Sequence, residues 1–391
     1  MKRCSRKKEN ITSFIRCNLK TATGMIERTI SNLWYGKPKW LGLSSLILLL
    51  APFSLLYGLI VMLRNRLFDR GFVTSERLPG RVISVGNLTV GGTGKTPMVI
   101  YLAEMLRANG YRPVVLSRGY GGTSKHPVNV VSKGDEPLMG HHEAGDEPVL
   151  IANTLRGVPV LTGPRRALTG DWALKNLDVD ALILDDGFQH RRLFRDINIV
   201  LLNAVSPFGN GWLLPGGPMR EPLRALKRAD IIIATGTYDD VAAGRPIALP
   251  DEIQAPMFRC YYQPRDLLQG TRGEFFPPEL VKGKKICAFA GIGNPMAFLK
   301  TLLALGADVA VFMPFADHHR YKMKDVSLIA ERARQYQAEM IVTTEKDQIK
   351  IAAFDFMLRG AYALRIGMEF LSAREDFEKL ILEKLKDGHK G

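Results

Sequence analysis

From Leu41 to Leu63 the chain runs for 23 residues without a charge, bracketed by Lys37 and Lys39 before and by Arg64, Arg66 and Arg70 after. About 20 apolar residues suffice for a helix to span a bilayer, so this stretch is expected to be a membrane-inserted helical segment. The residues ahead of it are too many for a signal-peptide n-region, and no small-x-small cleavage site stands out before Arg64. A buried core helix is disfavoured because no polar face repeats at helical spacing.

Beyond this segment the pattern changes to short apolar runs. Strands are predicted at Arg81–Val85, Arg112–Ser117, Val158–Leu161, Ala181–Leu184, Ile197–Leu202 and Asp230–Ala234, with helical patterns such as Met98–Leu106 and Pro148–Leu155 between them. Apolar strands alternating with helices imply an α/β fold with a doubly wound parallel sheet. Between Gly236 and Gly283 the pattern weakens and prolines recur at Pro246, Pro250, Pro256, Pro264, Pro277 and Pro278. A second α/β unit then follows, with strands at Lys285–Ala290, Asp308–Phe312 and Met340–Thr343 and helices at Met296–Leu305 and Val326–Gln335. The expected layout is a basic region 1–40, a hydrophobic membrane segment 41–66, a phosphate-loop domain 79–235, a linker 236–283 and a smaller carboxyl-terminal α/β domain 284–391.

Composition adds three constraints. With 391 residues, 46% hydrophobic and 24% charged, the chain is globular and long enough for two cores. The formal charge of +15 is uneven, because residues 1–39 hold ten Lys/Arg against Glu9 and Glu27, leaving +8 ahead of the apolar segment. Such a lead-in fits anionic headgroups better than nucleic acid. The four cysteines, Cys4, Cys17, Cys260 and Cys287, show no C-x-x-C spacing, so neither a zinc site nor a disulfide framework is expected. Orientation is harder to place: a cytoplasmic nucleotide site and a basic amino terminus held inside cannot both follow one straight span. Pro52 suggests a segment that bends into one leaflet, and a true start at Met25 would weaken the conflict.

The chemistry centres on Thr89-Val90-Gly91-Gly92-Thr93-Gly94-Lys95-Thr96, which follows the first strand and opens a helix. Glycines let successive backbone N–H groups approach polyphosphate oxygens at the positive end of a helix. Lys95 then reaches the β- and γ-phosphates, and the Thr96 hydroxyl is a magnesium ligand. Thr89 stands where the G-x-x-x-x-G-K-[ST] pattern has its first glycine.

Around this loop lie Ser117-Arg118-Gly119-Tyr120-Gly121-Gly122, the acid pair Asp146-Glu147 ahead of a helix, and Asp185-Asp186 at the end of an apolar strand, where α/β sheets bind ligands. His141-His142 is read as a solvated loop over a metal site, since it lacks i, i+4 spacing. Gly291-Ile292-Gly293-Asn294-Pro295 is read as a tight turn over a dinucleotide fingerprint, because Met296 holds the third glycine position. Asp317-His318-His319 and Thr343-Thr344-Glu345-Lys346-Asp347 both fall at strand ends, and an acid-flanked His318 is a candidate for proton transfer. Arg118, Arg165, Arg166, Arg191 and Arg192 read singly as solvated side chains, and as a cluster they suit an anionic ligand.

In order, V-G-N-L-T-V-G-G-T-G-K-T-P at 85–97, S-R-G-Y-G-G at 117–122, G-D-E-P at 145–148, D-D-G-F-Q-H at 185–190, L-L-P-G-G-P-M-R-E-P at 213–222, D-H-H at 317–319 and T-T-E-K-D at 343–347 closely resemble the tetraacyldisaccharide 4'-kinase family. The likeness covers roughly Trp34 to Ile366, and Met1–Gly24 is an extension that the family pattern does not ask for. The resemblance implies transfer of the γ-phosphate of ATP to the 4'-hydroxyl of tetraacyldisaccharide 1-phosphate, a lipid A precursor, at the cytoplasmic face of the inner membrane. It implies ATP and Mg²⁺ as cofactors, a lipid substrate and a membrane surface as partners, and neither nucleic acid nor an obligate protein partner. On that basis Lys95 and the amides of Thr89–Thr96 are assigned to the phosphates, and Thr96, Asp185, Asp186 and Glu147 to Mg²⁺, with Glu221 a second-tier ligand. Asp146 is assigned the proton of the 4'-hydroxyl, with His318 tuning or orienting it.

Two other classes fit less well. A membrane-anchored nucleotide switch reading guanine would need an N-K-x-D motif, and Glu345-Lys346-Asp347 lacks that spacing. A structural adaptor with a degenerate nucleotide fold is opposed by the intact Lys95, Thr96, Asp185 and Asp186.

Overall fold

The structure, a computed structural model, describes residues 33–36, 41–270, 273–354, 357–358 and 361–387. The expectations for Met1–Gly24, Met25, Lys37, Lys39, Cys4 and Cys17 lie outside the described residues. Two compact units are present, Asn32–Gln263 with Gly367–Gly391, and Pro264–Ile366.

The larger unit is a mostly parallel sheet in the order β3-β4-β2-β5-β1-β6-β7-β8. Its strands are β1 (Arg81–Asn87), β2 (Pro113–Ser117), β3 (Asn129–Ser132), β4 (Val160–Thr162), β5 (Ala181–Asp185), β6 (Ile197–Asn203), β7 (Ile231–Gly236) and β8 (Met257–Gln269), the last running on into the smaller unit. Only β3 is antiparallel to its neighbour among these pairs. β1, β2, β5 and β6 are buried for almost their whole length because both faces are covered. On one face Val82, Val114, Leu116, Leu182 and Leu184 pack with Ala167 and Ala173 of the helix Arg166–Asn176. β1 lies between β5 and β6, and the chain leaves it for β2 on one side and returns as β6 on the other, so the sheet reverses winding there. Ligands of open α/β sheets bind at that reversal, beyond the carboxyl ends of the strands. Register fixes what meets there: Val85 is level with Asp185, which places the end of β5 beside the loop leaving β1.

The apolar segment is one helix, α1 (Leu41–Asp69), which contains Pro52. Leu48, Leu55 and Leu59 are 75%, 68% and 59% exposed, whereas Ser54 and Val61 are 2% and 6% exposed. Within Leu41–Leu63 no polar face repeats, but one side of the helix is buried. Ser54, Gly58, Val61 and Asn65 form a stripe at spacings of four, three and four residues, and it was missed because only two of the four are polar.

The smaller unit holds β9 (Phe275–Phe276), antiparallel to the end of β8, and β10 (Lys285–Ala290), β11 (Asp308–Pro314), β12 (Met340–Thr344) and β13 (Ala361–Phe370), parallel in the order β11-β10-β12-β13. Alternation along β10 serves two layers: Ile286, Ala288 and Ala290 pack with the helix Pro295–Ala304, and Cys287 and Phe289 with the helix Met323–Gln335. Residues 236–283, expected as a linker, contain β8, whose 13 residues include Pro264. Residues 367–387, expected with the smaller domain, carry the helix Arg374–Asp387 back to the larger unit, where Tyr101 Oη donates to Glu378 Oε1 at 2.5 Å and Lys384 pairs with Asp230 at 3.1 Å. Cys260 and Cys287 are buried free thiols.

Candidate active site

The Thr89–Thr96 loop leaves the carboxyl end of β1 and delivers Lys95 as the first residue of helix α2 (Lys95–Ala108). Its shape is set by buried groups at the carboxyl ends of β1 and β7. Asn87 Nδ2 donates to Thr93 Oγ1 at 3.0 Å, and Thr235 Oγ1 at the end of β7 donates to Thr93 O at 2.8 Å. Val90 N donates to Pro218 O at 2.8 Å. Thr93 is thus 3% exposed, its side chain spent on the scaffold. Gly94 sits at φ 79, and a Cβ there would lie 2.7 Å from Tyr262 Cε1, so any larger residue would collide as well as strain the backbone. With no side chain at the helix cap, the amide dipoles at the start of α2 face outward as an anion cradle.

Carboxylates meet this cradle from β5. Asp185 ends the strand at 1% exposure, and Asp186 turns at φ 51. Arg220 Nη1 donates to both Asp186 oxygens at 2.9 and 2.8 Å, and Lys95 Nζ lies 3.6 Å from Oδ1. Burial alone would raise the Asp186 carboxyl; Lys95, Arg220 and then Arg166 more than offset it and hold it below the usual carboxylate range. Asp185 goes the other way. Burial, then the charges of Glu147 and Asp186, push it up to about 7, while Lys95 and the Ser117 hydroxyl oppose the shift. Ser117 Oγ donates to Asp185 Oδ2 at 3.1 Å, and Asp185 Oδ1 is buried without a hydrogen-bond partner among the described residues.

Glu147 and Asp146 occupy the first turn of the helix Asp146–Thr154. Gly145, at φ 95, permits their approach, since a Cβ there would lie 2.6 Å from Tyr120 O. The S-R-G-Y-G-G turn and residues 143–145, just ahead of the acid pair, therefore pack backbone to backbone. Beside them Arg166 is 3% exposed; burial lowers its pKa to about 10, with Asp185 and Asp186 resisting. His190 falls to about 4 through burial, then Arg166, Arg195, Arg192 and Arg118, so it is a neutral imidazole in a cationic surround.

Lys95, Asp186 and Glu147 thus all act electrostatically on Asp185. Thr96 follows Lys95, half-buried. Glu221 stands in a second network, fully buried: Arg228 Nη2 donates to Oε1 and Oε2 at 3.0 and 2.9 Å, and Asn65 Nδ2 donates to Oε2 at 2.7 Å. His318 belongs to the smaller unit, at φ 56, with its Nε2 3.2 Å from Lys346 Nζ. The sequence reading passed over Arg220 as a partner of Asp186, and over Asn87, Ser117, Thr235 and Tyr262. Asn87, Ser117 and Thr235 did carry a signal, as polar residues at the carboxyl ends of apolar strands.

The parallel sheet, the glycine loop at its winding reversal, and a lysine and paired aspartates at its edge define a P-loop nucleotide-binding protein with the apparatus of a phosphotransferase. Residues 46–386 match the family described as tetraacyldisaccharide-1-P 4'-kinase, and the chain belongs to that family. A protein named tetraacyldisaccharide 4'-kinase from Syntrophus aciditrophicus (strain SB) is 52% identical over 355 residues, 88% of this chain and 95% of that protein. One of the same name from Desulfatibacillum aliphaticivorans is 39% identical over 365 residues, 90% of this chain and 96% of that protein. Among solved structures, the "apo" form of LpxK from Aquifex aeolicus in complex with ATP superposes with a TM-score of 0.71 at 36% identity, covering 87% of this chain and 99% of that one.

Proposed function

We propose that this chain transfers the γ-phosphate of ATP to the 4'-hydroxyl of tetraacyldisaccharide 1-phosphate, making a lipid A precursor at the cytoplasmic face of the inner membrane. The observation that carries the reading is Lys95 and Arg220 converging on Asp186 behind the glycine loop. Phosphoryl transfer asks mainly for fixed phosphates, neutralised charge and an aimed hydroxyl. The loop amides and Lys95 hold the phosphates, and Arg220 keeps Asp186 ionised and oriented.

A divalent cation fits the donor set. Asp185 offers an oxygen with no hydrogen-bond partner, and the mutual repulsion of Asp185, Asp186 and Glu147 is what a bound cation relieves. Among the described residues no three His, Cys, Asp or Glu side chains stand as a ready cage. Magnesium asks for no such cage, since it is commonly held by one or two carboxylates, waters and the substrate's phosphates. Thr96, Asp185, Asp186 and Glu147 would hold it, and when bound it would neutralise charge on the transferring group. Glu221 has its oxygens committed to Arg228 and Asn65, and its part is structural.

Asp146 takes the proton of the sugar hydroxyl. Asp146→Asn is expected to lower turnover about 10²- to 10⁴-fold with ATP affinity kept, measured by steady-state kinetics beside equilibrium binding. Turnover near the parent's would remove Asp146 from that role. The exposed leucines of α1, whose most apolar 18 residues have a mean hydropathy of 2.6, bring the enzyme to the membrane that holds its substrate.

A further inference from the structure

A helix that only anchors has no use for hydrogen-bonding side chains, because each polar group in an apolar setting costs free energy unless it is partnered. α1 nevertheless carries Ser54, Tyr57 and Asn65, and all three reach one segment, Leu213–Glu221. Ser54 Oγ accepts from Gly216 N at 2.9 Å, Tyr57 Oη donates to Arg220 O at 2.9 Å, and Asn65 Nδ2 donates to Glu221 Oε2 at 2.7 Å. Between them Gly58 lets the helix sit close, since a Cβ there would lie 2.8 Å from Leu213 Cδ1.

Arg191 grips the same end of the helix, donating from Nη1 to Asn65 O at 3.0 Å and pairing with Asp69 at 2.6 Å. The backbone of Arg220 is consequently fixed from two sides: its N–H donates to Leu88 O at 2.8 Å beside the phosphate loop, and its carbonyl accepts from Tyr57. The guanidinium that leaves this clamped backbone is the one that meets both oxygens of Asp186.

We propose that Asn65, with Tyr57, is a positioning residue: the protein-facing stripe of the apolar helix sets Arg220 against Asp186, so that the anchor is also part of the catalytic scaffold. The proposal rests on the reading that Arg220 and Asp186 serve phosphoryl transfer. Glu221, buried between Asn65 and Arg228, is the rivet through which Asn65 acts.

The test is a double-mutant cycle on the full chain in detergent micelles, following kcat and the KM for ATP for the parent, Asn65→Leu, Arg220→Ala and the double variant. Tyr57→Phe in the same two backgrounds keeps the shape of the side chain and stands in if Asn65→Leu fails to fold. Asn65→Leu is expected to lower kcat/KM about tenfold in the parent, with no further loss beside Arg220→Ala, because a residue that acts through another is silent once that other is gone. Flotation on phosphatidylglycerol-containing vesicles is expected to match the parent's, which separates positioning from anchoring. Equal losses in both backgrounds, or none in either, would overturn the positioning role alone. Parental turnover by Arg220→Ala would overturn the reading beneath it as well.

Discussion

Thr235→Val tests whether the phosphate loop is held from β7. The Thr235 hydroxyl is fully buried, donates to Thr93 O at 2.8 Å and shares a hydrogen bond with the phenol of the half-buried Tyr262. Valine keeps the shape but strands the Thr93 carbonyl and weakens the hold on Tyr262, whose ring stands against Gly94. Leaving such a buried group unsatisfied costs about 1–3 kcal/mol, so a loss of about 2 kcal/mol is expected. Part, about 0.6 kcal/mol, falls on global stability, lowering the unfolding midpoint by about 1 to 2 °C, and part on the loop geometry that ATP needs. A share of about 1.4 kcal/mol on the loop raises the KM for ATP about tenfold. Steady-state kinetics with ATP varied and calorimetry on the same preparations measure both, and Thr235→Ser is expected to restore both. An unchanged KM together with an unchanged midpoint would refute the idea that this hydroxyl shapes the loop.

Two predictions concern the smaller unit. Burial pushes Glu345 up to about 7, against the opposing pull of Arg365 and the Ile366 amide, with Arg265 lowering and Asp266 raising it further. Its folded pKa lies above the model-peptide value of 4.5, so the folded state binds the extra proton and stability falls as pH rises from 4.5 through 7, by about 3 kcal/mol. Glu345→Gln is expected to flatten denaturant midpoints between pH 5 and pH 8; an unaltered slope would contradict the assignment. Asp347 and Lys350, with side chains 0% and 3% exposed, pair at 2.8 Å, and Asp347 also accepts from the Gly291 amide and the Thr344 hydroxyl. Asp347→Asn strands a buried ammonium and is expected to cost about 3 kcal/mol by chemical denaturation, with Asp347→Asn/Lys350→Met recovering part of it. No change in the single variant would contradict this.

Buried parallel strands were legible because both faces are covered, which leaves near-continuous apolar runs such as those of β5 and β6. β8 was not, because Met257–Gln269 is only partly buried and mixes Arg259, Gln263, Pro264, Arg265 and Asp266 with its apolar residues. Local pattern also gave no hint that Arg374–Asp387 belongs with the larger unit, since Tyr101–Glu378 and Asp230–Lys384 join residues far apart in the chain. At the site, the glycine loop and the aspartates declared themselves by spacing. Arg220 did not, because its pairing with Asp186 spans 34 residues and depends on a strand end meeting a proline-rich turn. The stripe on α1 was hidden for a different reason. Within a run of leucines, one serine and one asparagine separated by glycine and valine do not look like a face until their partners are seen.

The central claim is that the loop and its carboxylates pass a phosphoryl group to a lipid sugar. Transfer of labelled γ-phosphate from ATP to tetraacyldisaccharide 1-phosphate in detergent micelles, by the full chain beside Lys95→Ala, tests it most directly. The account predicts label in the lipid with the parent and a loss of several orders of magnitude with Lys95→Ala. ATP consumed with no label in the lipid would contradict it and favour a nucleotide switch without a lipid acceptor.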